Sequence, residues 1–298
     1  MKKINIAITG CGHGELDTYY RLCDLLEKQG TPIDLLIITG DFQAVRNQED
    51  LGCKESPQKY KLMRTFYRYY NGEKKASVLT IYIGGNHEAV NYHQELYYGG
   101  WVAPNIYYMG ASNVIRYKGL KIGGISGIYK PFDYHRGYYE APPYTSTSSE
   151  EKVSSYHLRE IEVRKMFSYP YKLDIILSHD WPEGIYNYGD RNWLSRRKSG
   201  FVKDMEEGSL GSIPCMSLLK HNKPRYWFAS HMHVKFTAIV PHDDEGNETT
   251  KFLALDKCLA HRDYFQVLPF DIDDAFAEDS NVERAVLLRC SSTMIRNG

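Results

Sequence analysis

Residues 78–88 read VLTIYIGGNHE. A largely apolar run, rich in β-branched and aromatic side chains, stops at two glycines and then offers an amide, an imidazole and a carboxylate. The run is too short for a helix and too continuous for a half-exposed strand. It reads as a strand buried on both faces, followed by a sharp polar turn.

Working outward, the same pattern recurs four times. INIAIT at 4–9 runs into GCGHGELD at 10–17, and DLLIIT at 34–39 into GDFQ at 40–43. LDIILS at 173–178 runs into HDWP at 179–182, and RYWFAS at 225–230 into HMH at 231–233. Helical spacing fills much of the space between, over 15–29, over 57–70 with Pro57 at its start, and over 154–167. Buried strands alternating with helices predict an α/β fold with parallel strands. KFLALD at 251–256 and DYFQVLPF at 263–270 add short later strands, and beyond Phe270 the pattern weakens.

In open α/β sheets the C-terminal strand ends face one crevice. Polar residues after five such strands therefore converge: Cys11 and His13, Asp41, Asn86 and His87, His179, and His231 and His233. Each alone has an ordinary explanation. Asp41 is a plausible helix cap, Asn86 suits a positive-φ turn, and Cys11 makes a small buried hydrophobe. All of them at strand ends make a stronger case. Thiolate, imidazole, carboxylate and amide oxygen are all metal ligands, and together they fill two pockets that share Asp41.

Bulk properties narrow the rest. The chain has 298 residues, 42% of them hydrophobic and 25% charged, with no net charge. Zero net charge leaves any polyanion site to a local patch. No apolar run reaches the length of a membrane span, and MKKINIAITG at the start reads as a first strand rather than a leader. The six cysteines form no C-x-x-C pair, which suits a reducing compartment. Nothing marks an obligate protein partner. The stretch 126–156 is long and rich in tyrosine, proline and serine, and loops of that length are usually functional.

The motifs CGH (11–13), GD (40–41), GGNHE (84–88), SHD (178–180) and SHMH (230–233) resemble the calcineurin-like metallophosphoesterase superfamily, whose fold is an αββα sandwich. One departure is Cys11, which stands where that superfamily usually has an aspartate. GCGHGELD, GDFQAVRN, GGWVAPNIYY, GISGIYK, SHDWP and FLALDKC, in this order, are similar to the RNA lariat debranching enzymes. That resemblance runs from about residue 4 to 269.

The resemblance implies a first metal pocket of Cys11, His13, Asp41 and His233, and a second of Asp41, Asn86, His179 and His231. It implies His87 as general acid, with Glu88 orienting His87 or neighbouring backbone. The cofactors it implies are two divalent ions. The soft Cys11 thiolate favours zinc or iron, with manganese able to substitute. The implied substrate is the 2′–5′ phosphodiester at the branch of an intron lariat RNA, and the implied location, inferred from that substrate, is nuclear, with the cytoplasm as the alternative. Residues 126–156 correspond to the lariat recognition loop, inserted in a catalytic domain of 1–240. Residues 241–298 read as a small C-terminal domain or extension packing on it. Tyr129, Lys130, His157 and Arg159 are the expected RNA contacts, and tyrosines 134, 138, 139 and 144 are further candidates for stacking. Rival readings are another metallophosphoesterase, such as a nuclease or phosphodiesterase, and a non-catalytic scaffold of the same fold.

Overall fold

The computed structural model describes residues 2–144, 148–276 and 282–284. Its strands are β1 Lys2–Thr9, β2 Leu35–Ile38, β3 Thr80–Tyr82, β4 Gly100–Ala103, β5 Ile106–Tyr108, β6 Ser112–Tyr117 and β7 Leu120–Ile125. They continue with β8 Ile175–Ser178, β9 Tyr226–Ala229, β10 Phe236–Pro241, β11 Thr249–Ala254, β12 Phe265–Ile272 and β13 Glu283–Arg284. They form two mixed sheets, ordered β12-β1-β2-β3-β5-β4 and β10-β11-β9-β8-β7-β6-β13. The centre of each is parallel, β1-β2-β3-β5 in one and β11-β9-β8-β7 in the other, with antiparallel strands at the edges.

The sheets pack face to face. Ile6, Ile37 and Ile81 of the first meet Ile122, Ile175 and Phe228 of the second in one apolar core. Helices cover both outer faces. Leu16, Tyr19 and Cys23 of the helix Leu16–Lys28 pack on Ala7 and Leu36. Val163 and Met166 of Glu160–Phe167, and Leu218 and Leu219 of Ile213–Asn222, pack on Ile176 and Trp227. Each central strand is thus buried on both faces, which explains its unbroken apolar sequence. Among the described residues, no helix is long and apolar enough to cross a membrane.

Two sequence expectations need correction. The segment 57–70 is not one helix: a 3-10 turn at Gln58–Tyr60 and a helix at Phe66–Tyr70 flank Arg64, whose backbone is left-handed at φ 55°. Its middle is drawn into tertiary bonds, the Leu62 carbonyl to Gln43 and the Thr65 hydroxyl to Gly14. The stretch 154–167 is likewise divided, between helices Ser149–Ser154 and Glu160–Phe167, with His157 bridging to Ile128. Strands on both sides of residue 240 share both sheets. Strand β11 lies between β10 and β9, and β12 pairs with β1 along its whole length. The expectations for 277–281 and 285–298, and for 145–147 of the inserted loop, fall outside the described residues.

Candidate metal centre

The C-terminal ends of β1, β2 and β3 face those of β8 and β9 across the top of the sandwich. The two sheets are tied there. Ser230 donates its hydroxyl to the Thr39 carbonyl at 2.6 Å, and His179 Nδ1 lies 2.9 Å from the same oxygen. Loop 10–14 runs along loop 40–42, with Gly12 N–H bonded to Gly40 and Gly14 N–H to Phe42.

One sulfur, nitrogen or oxygen from each of Cys11, His13, Asp41 and His233 lies within 4.8 Å of the others. The Asp41 carboxylate is the hub, and it is fully buried. Its Oδ1 accepts the backbone N–H of His87 at 2.9 Å and lies 3.4 Å from His179 Nε2. Its Oδ2 is buried with no hydrogen-bond partner among the described residues. An orphaned buried carboxylate oxygen facing a thiol and two imidazoles is what a cation site requires and what a packed polar core avoids.

On the other side of Asp41, Asn86 Oδ1 lies 3.1 Å from His179 Nε2, and the His179 and His231 rings are 4.9 Å apart. The His179 Nδ1 contact to Thr39 fixes that ring with Nε2 turned towards Asp41 and Asn86, the usual orienting device behind a ligating imidazole. The structure therefore brings together all seven residues expected to bind metal. His87 stands at their rim, half-buried, its ring 5.5 Å from that of His13.

The backbone bends hard to do this. His13, Asp41, His231 and His233 all have positive φ, from 44° to 57°, a region that costs non-glycine residues energy and collects at functional sites. Glycines make the room. A side chain at Gly85 would place its Cβ 2.3 Å from Asp41 Oδ1, and one at Gly40 would meet His179 Nδ1 at 2.1 Å.

Electrostatics follow burial. Desolvation lowers the pKa of His13 and of His231 to about 4, and that of His233 to about 3, so all three are neutral and free to donate a lone pair. Burial alone would raise Asp41, but His179, His13 and His87 hold its carboxyl well below the usual range. Burial, then Asp41, push the Cys11 thiol up in the absence of a cation.

Glu88 holds the loops in place. Its carboxylate accepts the backbone N–H groups of Phe42 and Gln43, each at 2.7 Å, and that of Gly85 at 3.1 Å. It orients backbone rather than the His87 ring.

The expected RNA contacts divide. Tyr129 and Lys130 are partly exposed. His157 and Arg159 are not: their exposures are 2% and 0%. Arg159 pairs with buried Glu140 at 2.7 Å and donates to Ser154, while His157 Nδ1 lies 2.6 Å from Asp133. They are internal props of the inserted loop, not part of its surface. Sequence shows their charge but not the carboxylates, some 20 residues away, that neutralise them. Of the tyrosines, 144 is buried and 139 is exposed; Phe132, unremarked in the sequence, is the more exposed ring at 66%.

The calcineurin-like phosphoesterase family model matches residues 4–235. The chain belongs to this phosphoesterase family. The fold implies a centre for two divalent cations, and the donor set around Asp41 fits it. A second family model, the lariat debranching enzyme C-terminal domain, matches 247–289. Among curated relatives, the "Lariat debranching enzyme" of Mus musculus is 51% identical over 98% of this chain and 54% of that protein. The Homo sapiens protein of the same name matches at 51% with the same coverage. The chain thus spans about half the length of the curated relatives it matches. One solved chain aligns with TM-score 0.50 at 13% identity, covering 91% of this phosphoesterase and 100% of that chain, a likeness of fold alone.

Proposed function

We propose that this phosphoesterase hydrolyses the 2′–5′ phosphodiester at the branch of lariat RNA. One observation carries the hydrolytic half of the reading. Buried Asp41 keeps an oxygen with no hydrogen-bond partner among the described residues, at the centre of Cys11, His13 and His233, a cradle that suits a cation. The substrate half rests on relatives named as lariat debranching enzymes at 51% identity.

Cys11, His13, Asp41 and His233 would hold one ion, and Asp41, Asn86, His179 and His231 the other. When bound, the two cations supply Lewis acidity that activates water and neutralises phosphate charge. Zinc or iron(II) suits the pocket with the thiolate, and manganese can substitute. His87 is anchored through its backbone N–H to Asp41, which leaves its ring free at the cleft to give a proton to the departing 2′-oxygen. On the inserted loop Tyr129 and Lys130 are partly exposed and the rings of Phe132 and Tyr139 are exposed, which supports a reading in which unpaired bases stack there. A lariat substrate implies a nuclear location, with the cytoplasm as the alternative.

The test supplies zinc, iron(II) or manganese separately with two short RNAs, one carrying a 2′–5′ branch and one linear. Selective cutting of the branch is the expected result. Equal cutting of both would leave a general phosphodiesterase.

A further inference from the structure

Among the described residues, Lys54 is a buried ammonium with no ion-paired carboxylate, and the residue is 2% exposed. Its one hydrogen bond there is donated to Gln43 Oε1 at 2.6 Å. An ammonium has three N–H donors, so two remain to be met. A buried cation is costly unless an anion completes it.

The placement is held firmly. Gln43, left-handed at φ 63°, has its backbone N–H fixed by Glu88. Its side-chain Nε2 donates to the Leu62 carbonyl at 2.6 Å, which turns Oε1 towards Lys54. Lys54 lines the same cleft, of about 350 Å³, as His13, His87 and His233, and Arg64 and Lys257 line it too. Arg64 is already paired with Glu15 at 2.7 Å. Desolvation, opposed by Asp41 and Glu88, pulls Lys54 below the ordinary lysine range, as expected for a cation awaiting an anion.

A branch nucleotide differs from every other in one respect: its ribose carries phosphodiesters on two adjacent carbons. With the 2′ phosphate at the metal centre and its leaving oxygen at His87, the 3′ phosphate must lie in the adjoining part of this cleft. We infer that Lys54 binds that second phosphate and so makes the site favour a ribose carrying phosphodiesters at both 2′ and 3′. The inference rests on the debranching reading.

The test uses the whole chain with manganese and two substrates. One is a branched trinucleotide with both phosphodiesters; the other is a 2′–5′ dinucleotide with a free 3′-hydroxyl. The readout is the ratio of kcat/KM for the first over the second. Lys54→Met, which keeps the length of the side chain and its packing, should lower that ratio by about tenfold, the scale of one hydrogen-bonded charge. Lys54→Arg should retain most of it. An unchanged ratio in Lys54→Met overturns the inference. So does an equal loss on both substrates, which would put Lys54 on the scissile phosphate or in the fold. If the wild type cleaves bis(p-nitrophenyl) phosphate but neither RNA, the debranching reading itself falls, and this inference with it.

Discussion

The Glu88 carboxylate accepts the backbone N–H of Gln43 at 2.7 Å, across 45 residues of sequence. Its other oxygen serves Phe42 and Gly85, so one side chain joins the loop carrying Asp41 to the loop carrying Asn86. Glu88→Gln keeps the shape but turns an amide N–H₂ towards backbone N–H groups. The variant should lose about 1–3 kcal/mol of stability, the cost of leaving a buried donor unmet. Metal affinity should fall about 10- to 100-fold, as when ligand-orienting groups are removed. Denaturant unfolding and metal content after dialysis check the two effects, and full metal retention would show that the loops hold without the staple.

His87 is assigned to the leaving group, and leaving groups differ in their need for a proton. His87→Ala should lower kcat on a ribose 2′-oxygen leaving group by about 10²–10⁴. On bis(p-nitrophenyl) phosphate, whose nitrophenolate departs unprotonated, the loss should be far smaller. Equal losses on both would move His87 from proton donor to substrate positioning.

Among the described residues, Cys11 is the one soft donor in the group around Asp41. Cys11→Asp should shift the preferred metal from zinc or iron towards manganese or magnesium, because a carboxylate is a harder ligand than a thiolate. Competition between zinc and manganese, read as metal content per chain, measures the shift. An unchanged ratio would mean that the other donors set selectivity.

The strands and the convergence of five polar turns were legible because each central strand is buried on both faces and ends at the same edge of the sandwich. The burial of Arg159 was not. An arginine beside glutamates on a helical pattern reads as surface charge, and only the fold brings Glu140 and Ser154 to it. Lys54 was passed over for the same reason: nothing local marks a lysine as buried. The broken helix at 57–70 shows the limit of periodicity, since bonds from Gln43 and to Gly14 outweigh helical spacing there.

The buried Arg159–Glu140 pair offers a direct check on that correction. Arg159→Ala leaves Glu140 charged and alone, and breaking such a pair typically costs about 3–5 kcal/mol. The double variant Arg159→Met with Glu140→Leu removes both charges and should recover most of the loss. Urea unfolding of the two variants separates the cases. A loss of RNA binding in Arg159→Ala with no change in stability would restore Arg159 to the RNA surface.

The neighbouring His157–Asp133 contact makes the inserted loop sensitive to pH. His157 Nδ1 lies 2.6 Å from Asp133, while its Nε2 is buried with no partner among the described residues. A proton on Nε2 would be an unmet buried donor, so the neutral ring is the stable one. Desolvation accordingly lowers His157 below its ordinary 6.5, outweighing the pull of Asp133. A histidine whose folded pKa is depressed contributes stability that is present above its unfolded value and lost as pH falls below it. Asp133 is also held low: burial would raise it, but the bonds from His157 and Ser154 prevail. Its contribution is lost only below the ordinary carboxylate value of 3.8. Between pH 7 and 5, then, His157 alone of the pair acts, at no more than about 1.4 kcal/mol per pH unit. Hydrogen exchange at 127–134 and 154–159 should lose protection over that range. His157→Asn keeps a donor for Asp133 but has nothing to titrate, so its profile should be flatter by one proton. An identical slope in the variant would place the sensitivity elsewhere in the fold.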